Sequence, residues 1–180
     1  MPAAQGPCPV DPGQMEAIVH RLAADLLARV KPEEEIVLLG IRSRGMPLAE
    51  RLALQLRALT GAAIPVGTLD ITLYRDDLTE MVGSPIVRPT EIPFTLKERT
   101  VVLVDDVLYT GRTVRAALDA LLDHGRPRRV MLLVMADRSG RELPIQADLA
   151  GLTVEVPPGH RVAVRMKEID GEDGVTVEAC

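Results

Sequence analysis

The chain predicts an α/β fold: a parallel sheet flanked by helices, with a small C-terminal hood. Three observations predict it. Short apolar runs (Ile36-Val37-Leu38-Leu39, Val101-Val102-Leu103-Val104 and Val130 to Ala136) have the length and aliphatic content of strands covered on both faces. Between them lie segments with apolar residues at helical spacing. Towards the C-terminus helices give way to short strands and turns, which places a small cap beyond the main sheet.

In chain order, residues 1–10 read as a loose leader, and Asp11-Pro12-Gly13-Gln14 reads as a helix start: Asp11 as N-cap, proline in the first turn, glutamine closing a capping box. Met15, Ile18, Val19, Leu22, Leu26, Leu27 and Val30 then give one apolar face, with His20 and Arg21 opposite. Ile36 to Gly40 is the first buried strand; a doubly basic loop, Ile41 to Gly45, leads into a helix over Pro47 to Leu59 with Gly61 beyond its end. Ala63 to Val66 and Gly67 to Tyr74 read as strand. Residues from about 76 to 93, rich in glycine, proline and charge, read as a flexible loop, either a lid over the site or a plain surface hairpin. After the strand at 101–104, Val114 to His124 is a helix stopped by Gly125 and Pro127. Arg129 to Ala136 and Leu152 to Val156 are strands, Arg161 to Ile169 alternates apolar and charged residues, and Val175 to Glu178 pairs back beyond the acidic turn Gly171 to Gly174. The 180 residues make a single domain, with hood and C-terminal strands over about 137–180.

Composition narrows the function. No apolar run approaches the ~20 residues of a membrane span, and Met1 to Pro9 lacks the basic and apolar regions of a signal peptide. Cys8 and Cys180 are too few for a disulfide framework, so the expected compartment is a reducing cytoplasm. A net charge of −5 excludes a generally basic nucleic-acid binder, so any RNA contact needs a local basic patch. Tyr74, Phe94 and Tyr109 are the only aromatics, which argues against a base-stacking platform of the kind used for single strands. Eighteen Arg against 3 Lys, no Asn and 14 Pro point to a thermophile, a bias that GC-rich coding would also produce.

The chemistry concentrates in residues 101–113. A buried strand ends in Asp105 and Asp106; the loop Val107-Leu108-Tyr109-Thr110-Gly111-Arg112-Thr113 then opens a helix. Free N–H groups and the helix dipole at such a junction hold an anion. Thr110 and Thr113 add hydroxyls, and Gly111 lets the backbone come close. The acids suit sugar hydroxyls or a hydrated Mg²⁺. A ribose 5′-phosphate satisfies both halves. A solvated acid pair beside an ordinary helix cap is the plain alternative, and acid pairs also end strands in receiver domains and nucleotidases. The basic loop before the second helix suits a more anionic group such as pyrophosphate, held by backbone N–H groups and Arg44. Arg75 and Arg88 are candidate anion contacts from the lid.

The strand, the two acids and Thr110-Gly111-Arg112-Thr113 resemble the phosphoribosyl pyrophosphate signature of the type I phosphoribosyltransferases. Gly40 to Gly45, Asp70 to Leu78, Asp137-Arg138, Arg141 to Ile145 and Ala147-Asp148 together resemble the bacterial pyrimidine operon attenuation regulators. The resemblance runs from about residue 11 to the C-terminus. Purine members usually carry an aspartate where this chain has Tyr109, and a phenol with an ordinary pKa of ~10 is a poor base at neutral pH.

The resemblance implies the type I phosphoribosyltransferase fold and two activities. One converts uracil and phosphoribosyl pyrophosphate to UMP and pyrophosphate with Mg²⁺. The other binds the leader of pyr messenger RNA in response to UMP or UTP, on a homodimer or a dimer-based higher oligomer. On this reading Asp105, Asp106, Arg44 and Arg75 are catalytic, and the two acids hold the metal through water or substrate. Residues Val107, Leu108, Tyr109, Thr110, Gly111, Arg112 and Thr113 take the 5′-phosphate. Ser43 and Arg44 take pyrophosphate, helped on closure by Arg75 and Arg88, while Arg138 and the backbone near Val162 border uracil. His20, Arg21, Arg29, Arg138 and Arg141 contact RNA, although Gly140 and Gln146 stand where relatives often carry basic residues. A uracil salvage enzyme without RNA binding is the alternative.

Overall fold

A computed structural model describes residues 10–77 and 86–180. The expected leader, except Val10, and with it Cys8, lies outside the described residues, as does the middle of the expected lid.

Five parallel strands form the main sheet in the order β2-β1-β3-β4-β5: β1 is Ile36–Ile41, β2 Val66–Leu69, β3 Thr100–Leu108, β4 Arg129–Arg138 and β5 Leu149–Val154. Helices α1 (Pro12–Arg29) and α2 (Gly45–Thr60) cover one face and α3 (Arg112–Asp123) the other. Strand periodicity divides the core accordingly. Leu38, Val102, Val104 and Leu133 join the α1/α2 side, while Leu39, Val101, Leu103 and Val134 join the α3 side. α1 starts as its sequence indicates: Asp11 accepts from the Gln14 N–H at 2.8 Å and Gln14 returns the contact at 2.9 Å.

The hood is an antiparallel pair, β6 (His160–Arg165) and β7 (Gly174–Ala179), joined through the one-turn helix α4 (Lys167–Asp170). Its inner residues Val162, Val164, Met166 and Val175 extend the α1/α2 core. Val10 bridges to Val175, with backbone bonds of 2.9 and 3.1 Å.

Several boundaries differ from the sequence reading. The acids do not end β3: the strand continues to Leu108, because β4 is ten residues long and pairs with it as far as Leu108↔Asp137. Pairing with β1 stops earlier, at Gly40↔Val104, so the acid-bearing end of β3 is open on one side. The strand expected over 67–74 ends at Leu69, because the Asp70 carboxylate accepts from the Thr72 N–H at 2.8 Å and turns the chain into a 3₁₀ turn, Thr72–Tyr74. β5 begins at Leu149 and pairs with β4, so residues 137–154 belong to the main sheet and its loops, not to the hood. The alternation from Arg161 gives strand only to Arg165; α4 follows, closed by Gly171 at φ +80°.

Candidate active site

Strand order reverses beside β1, whose neighbours are β2 and β3. In open α/β sheets ligands bind beyond the carboxyl ends of the strands at such a reversal. The two loops that leave those ends, 42–44 from β1 and 109–111 from β3, are the two that carry the candidate chemistry.

The β3 loop forms a cradle. Gly111, at φ +94°, caps α3 without any side-chain cap, and its missing side chain leaves Leu143 and Ile145 just clear of the turn. The cradle is braced from outside: the Thr110 carbonyl accepts N–H bonds from Glu142 (2.9 Å) and Leu143 (3.0 Å). Thr110, Arg112 and Thr113 line a cavity of about 210 Å³ with Arg75, Asp76 and Asp77. Arg75 therefore stands over the cradle, paired to Asp77 at 2.8 and 2.6 Å.

The two acids are not equivalent. Asp105 is buried, 5% exposed, and its Oδ1 accepts the Asp106 N–H at 3.0 Å. Burial, with Asp106 beside it, raises its pKa well above the usual carboxylate range. Asp106 is half-buried, accepts the Val107 N–H at 2.9 Å, and lines a cavity of about 260 Å³ with Arg44, Arg161 and Arg165. Among the described residues no three His, Cys, Asp or Glu side chains gather as a metal cage. The donor set, one cavity-facing carboxylate and one buried one, fits Mg²⁺ that keeps its waters and arrives on substrate phosphates.

Opposite β3, α2 starts hard against the sheet. A Cβ at Gly45 would overlap the Val104 carbonyl oxygen, and one at Gly40 would lie 2.5 Å from the Met46 Cα. This approach sets loop 42–44 beside the open end of β3. Ser43 is exposed in a third cavity, about 250 Å³, with Arg42, Asp70, Arg75 and Arg88. Arg42 donates to the Pro89 carbonyl at 3.1 Å, and its buried Nε has no protein partner. Arg44 faces the Asp106 cavity and makes a two-pronged ion pair with Asp170 of α4, Nε at 3.1 Å and Nη2 at 2.7 Å.

A fourth cavity, about 460 Å³, opens between the strand ends and the hood, lined by Val107, Tyr109, Arg138, Gly140, His160 and Val162 among others. The Arg138 guanidinium lies 3.8 Å from the centre of the Tyr109 ring and donates to the His160 carbonyl at 3.2 Å. A side chain at Gly140 would strike that ring.

The five expected RNA contacts fall into two groups, and no hydrogen bond or ion pair joins them among the described residues. His20, Arg21 and Arg29 are exposed on α1, where Arg21 pairs with Asp25 at 3.1 Å and also donates to the Gly151 carbonyl. Arg138 and Arg141 lie at the end of β4, and Arg141 is spent on Asp137 (2.7 Å) and the Tyr109 carbonyl (2.5 Å). Leu108 is buried and serves the core rather than a cavity.

Sequence reasoning missed Asp170, Arg161, Arg165 and Arg42. The first three reach the cleft only because β6–α4 folds back over the sheet ends, and the alternation of residues 161–169 carried no sign of that. Arg42 was legible as half of the doubly basic loop.

A family model described as the phosphoribosyl transferase domain matches residues 11–163. The chain is 54% identical over 157 residues to the bifunctional protein PyrR of Pelotomaculum thermopropionicum, covering 87% of each chain. It is 55% identical to that of Deinococcus deserti (90% of this chain, 88% of the relative) and 52% identical to that of Thermus thermophilus (90% of each). Among solved structures, the hypoxanthine phosphoribosyltransferase of Trypanosoma cruzi superposes with a TM-score of 0.69 over 94% of both chains at 15% identity, a likeness of fold alone. A cradle and a basic loop meeting at the sheet's reversal, a domain match over most of the chain and relatives above 50% identity agree: the chain belongs to the phosphoribosyl transferase family and, within it, to the bifunctional PyrR proteins.

Proposed function

We propose that the chain binds pyr messenger RNA in response to uridine nucleotides and also transfers phosphoribose from phosphoribosyl pyrophosphate to uracil. One observation carries the transferase half. The Thr110–Thr113 cradle and the cavity that holds Arg44 and Asp106 both lie at the carboxyl ends of β1 and β3, beside the reversal of strand order, and Asp106 precedes the cradle on the same strand–loop segment.

The backbone from Val107 to Thr113 holds the 5′-phosphate, and Asp106 accepts hydrogen bonds from the ribose hydroxyls. Ser43 and Arg44 hold the pyrophosphate, with Arg42, Arg75 and Arg88 along its outer side. Asp106, with Asp105 behind it, would hold a hydrated Mg²⁺, which would supply neutralising charge for the leaving pyrophosphate. In the reaction the bond from C1 of the ribose to pyrophosphate breaks and a bond from C1 to a uracil nitrogen forms, and the proton on that nitrogen is released to the departing pyrophosphate or to water. The ribosyl centre becomes cationic as pyrophosphate leaves, so catalysis is alignment and charge stabilisation by fixed groups.

Uracil occupies the cavity under the hood, bordered by Arg138 and the backbone near Val162. Among the described residues no Asp or Glu side chain lines that cavity, and Tyr109 is engaged by Arg138. Both observations favour a pyrimidine over a purine that needs a carboxylate base. RNA binds the α1 arginines across a homodimer, where two copies of a sparse basic face add. Phosphoribosyl pyrophosphate and nascent messenger meet in the cytoplasm. No helix of the described residues is long and apolar enough to cross a membrane.

Two assays test the proposal. Uracil should be converted to UMP at least 100-fold more efficiently than hypoxanthine or guanine; the reverse preference overturns the base assignment. Binding to a pyr leader hairpin should tighten with UMP and weaken steeply with salt. Binding no better than to a scrambled hairpin leaves a uracil salvage transferase.

A further inference from the structure

We propose that Asp170, on the hood, is a positioning residue for phosphoribosyl transfer: it holds Arg44 in place for the pyrophosphate of phosphoribosyl pyrophosphate. The inference deepens the function proposed above and rests on Arg44 being a pyrophosphate ligand.

Arg44 is the N-cap residue of α2 and its side chain is 37% exposed, so its own loop does little to fix the guanidinium. Asp170 does so from 126 residues away, through Nε at 3.1 Å and Nη2 at 2.7 Å. The Asp170 carboxylate is itself fixed, because its Oδ2 accepts the Met166 N–H at 2.8 Å and its backbone N–H donates to the Met166 carbonyl at 2.7 Å. A guanidinium carries five N–H groups in a rigid fork. Asp170 takes two and leaves three for an anion in the cavity that Arg44 shares with Asp106. Without Asp170, the carboxylates left in that cavity are Glu178, which is paired with Arg161 and Arg165, and Asp106, the group assigned to the ribose.

A second clamp docks the same part of the hood on α2. Arg51, on the same helix as Arg44, binds Glu168 at 2.8 and 2.7 Å and Asp173 at 2.7 Å. Both clamps join the α4 region to α2, yet only Asp170 touches a residue of the cleft.

The test is steady-state kinetics of UMP formation by the full chain carrying Asp170→Asn or Glu168→Gln. Asp170→Asn should raise the KM for phosphoribosyl pyrophosphate, and the inhibition constant of inorganic pyrophosphate, about tenfold, with the KM for uracil within about twofold of wild type. Glu168→Gln should leave all three constants unchanged. Asp170→Glu, which keeps the charge and moves it by one methylene, should give the same selective defect in milder form and serves if Asp170→Asn does not fold. An equal defect from Glu168→Gln, a parallel rise in the KM for uracil, no change with either Asp170 variant, or tighter binding of phosphoribosyl pyrophosphate would each overturn the proposal. Arg44→Ala separates the two levels. If it leaves the pyrophosphate constants untouched, Arg44 is not the ligand and the assignment beneath the inference fails with it.

Discussion

The two ends of the cleft are built in opposite ways. The cradle is closed within nine consecutive residues, Asp105 to Thr113: the strand aims the acids, the glycine makes the turn, and the first turn of α3 supplies the N–H groups. The basic loop at 42–44 supplies charge but little geometry. Its position comes from α2 pressed against β1 and β3 through Gly40 and Gly45, and its arginine is oriented by Asp170 on the hood. Anion binding by backbone can be local, because every residue carries an N–H group. Anion binding by a long side chain needs a second element to hold that chain still.

The sharpest test of this contrast is Asp106→Asn, which removes charge from the locally built end. UMP formation should fall about 10²- to 10³-fold, while affinity for the RNA hairpin stays within about twofold. A loss of both activities in a folded protein would mean that the two surfaces are not separate.

Next come the glycines. Gly45→Ala places a methyl group against the Val104 carbonyl and should destabilise by about 2–3 kcal/mol. Gly111→Ala forces φ +94° on a side chain, with Leu143 3.3 Å from the new Cβ, and should cost about 1–2 kcal/mol. Urea midpoints would rank them. The opposite order would show the cradle, not the α2 approach, to be the tighter of the two.

The carboxylates differ in pH response as well. The Asp105 pKa is raised in the folded state, so the folded protein binds more protons there than the unfolded chain. Its contribution is fully present below the ordinary Asp range near pH 4 and is lost as pH rises through the raised value. Asp105→Asn should therefore raise the thermal midpoint at pH 8, with a gain that shrinks towards pH 4. Asp170 is shifted the other way by its bond to Arg44 and by the Met166 N–H, so its contribution is present above the ordinary range and is lost as pH falls through its lowered value. Asp170→Asn should lower the midpoint at pH 7 and converge on wild type in acid.

The smallest effect expected is that of Arg21→Ala. RNA affinity should weaken a few-fold with a salt slope shallower by about one unit, and UMP formation should not change. Arg21 already pairs with Asp25, so its loss removes only a partly neutralised charge.

Most of the cradle could be read from the chain, because strand, acids, turn and helix start follow one another without interruption. The capping box of Asp11 and Gln14 and the hairpin from Arg161 to Glu178 were legible for the same reason. The extension of β3 through Asp105 to Leu108 was not. Two acids in a row look like a strand end, and only the length of β4 keeps their backbone paired. Nor was the inequality of the acids legible, since burial of Asp105 depends on α2 coming down over it.

By itself, then, the order of residues determined the alternation of elements and the junction of strand, acids, glycine turn and helix start, because these rest on local hydrogen bonding and on periods of 2 and 3.6. Only the tertiary structure decided which acid is buried, which arginines reach the cleft and what holds Arg44. Those outcomes turn on burial and on contacts between residues more than a hundred positions apart, and no local pattern encodes either.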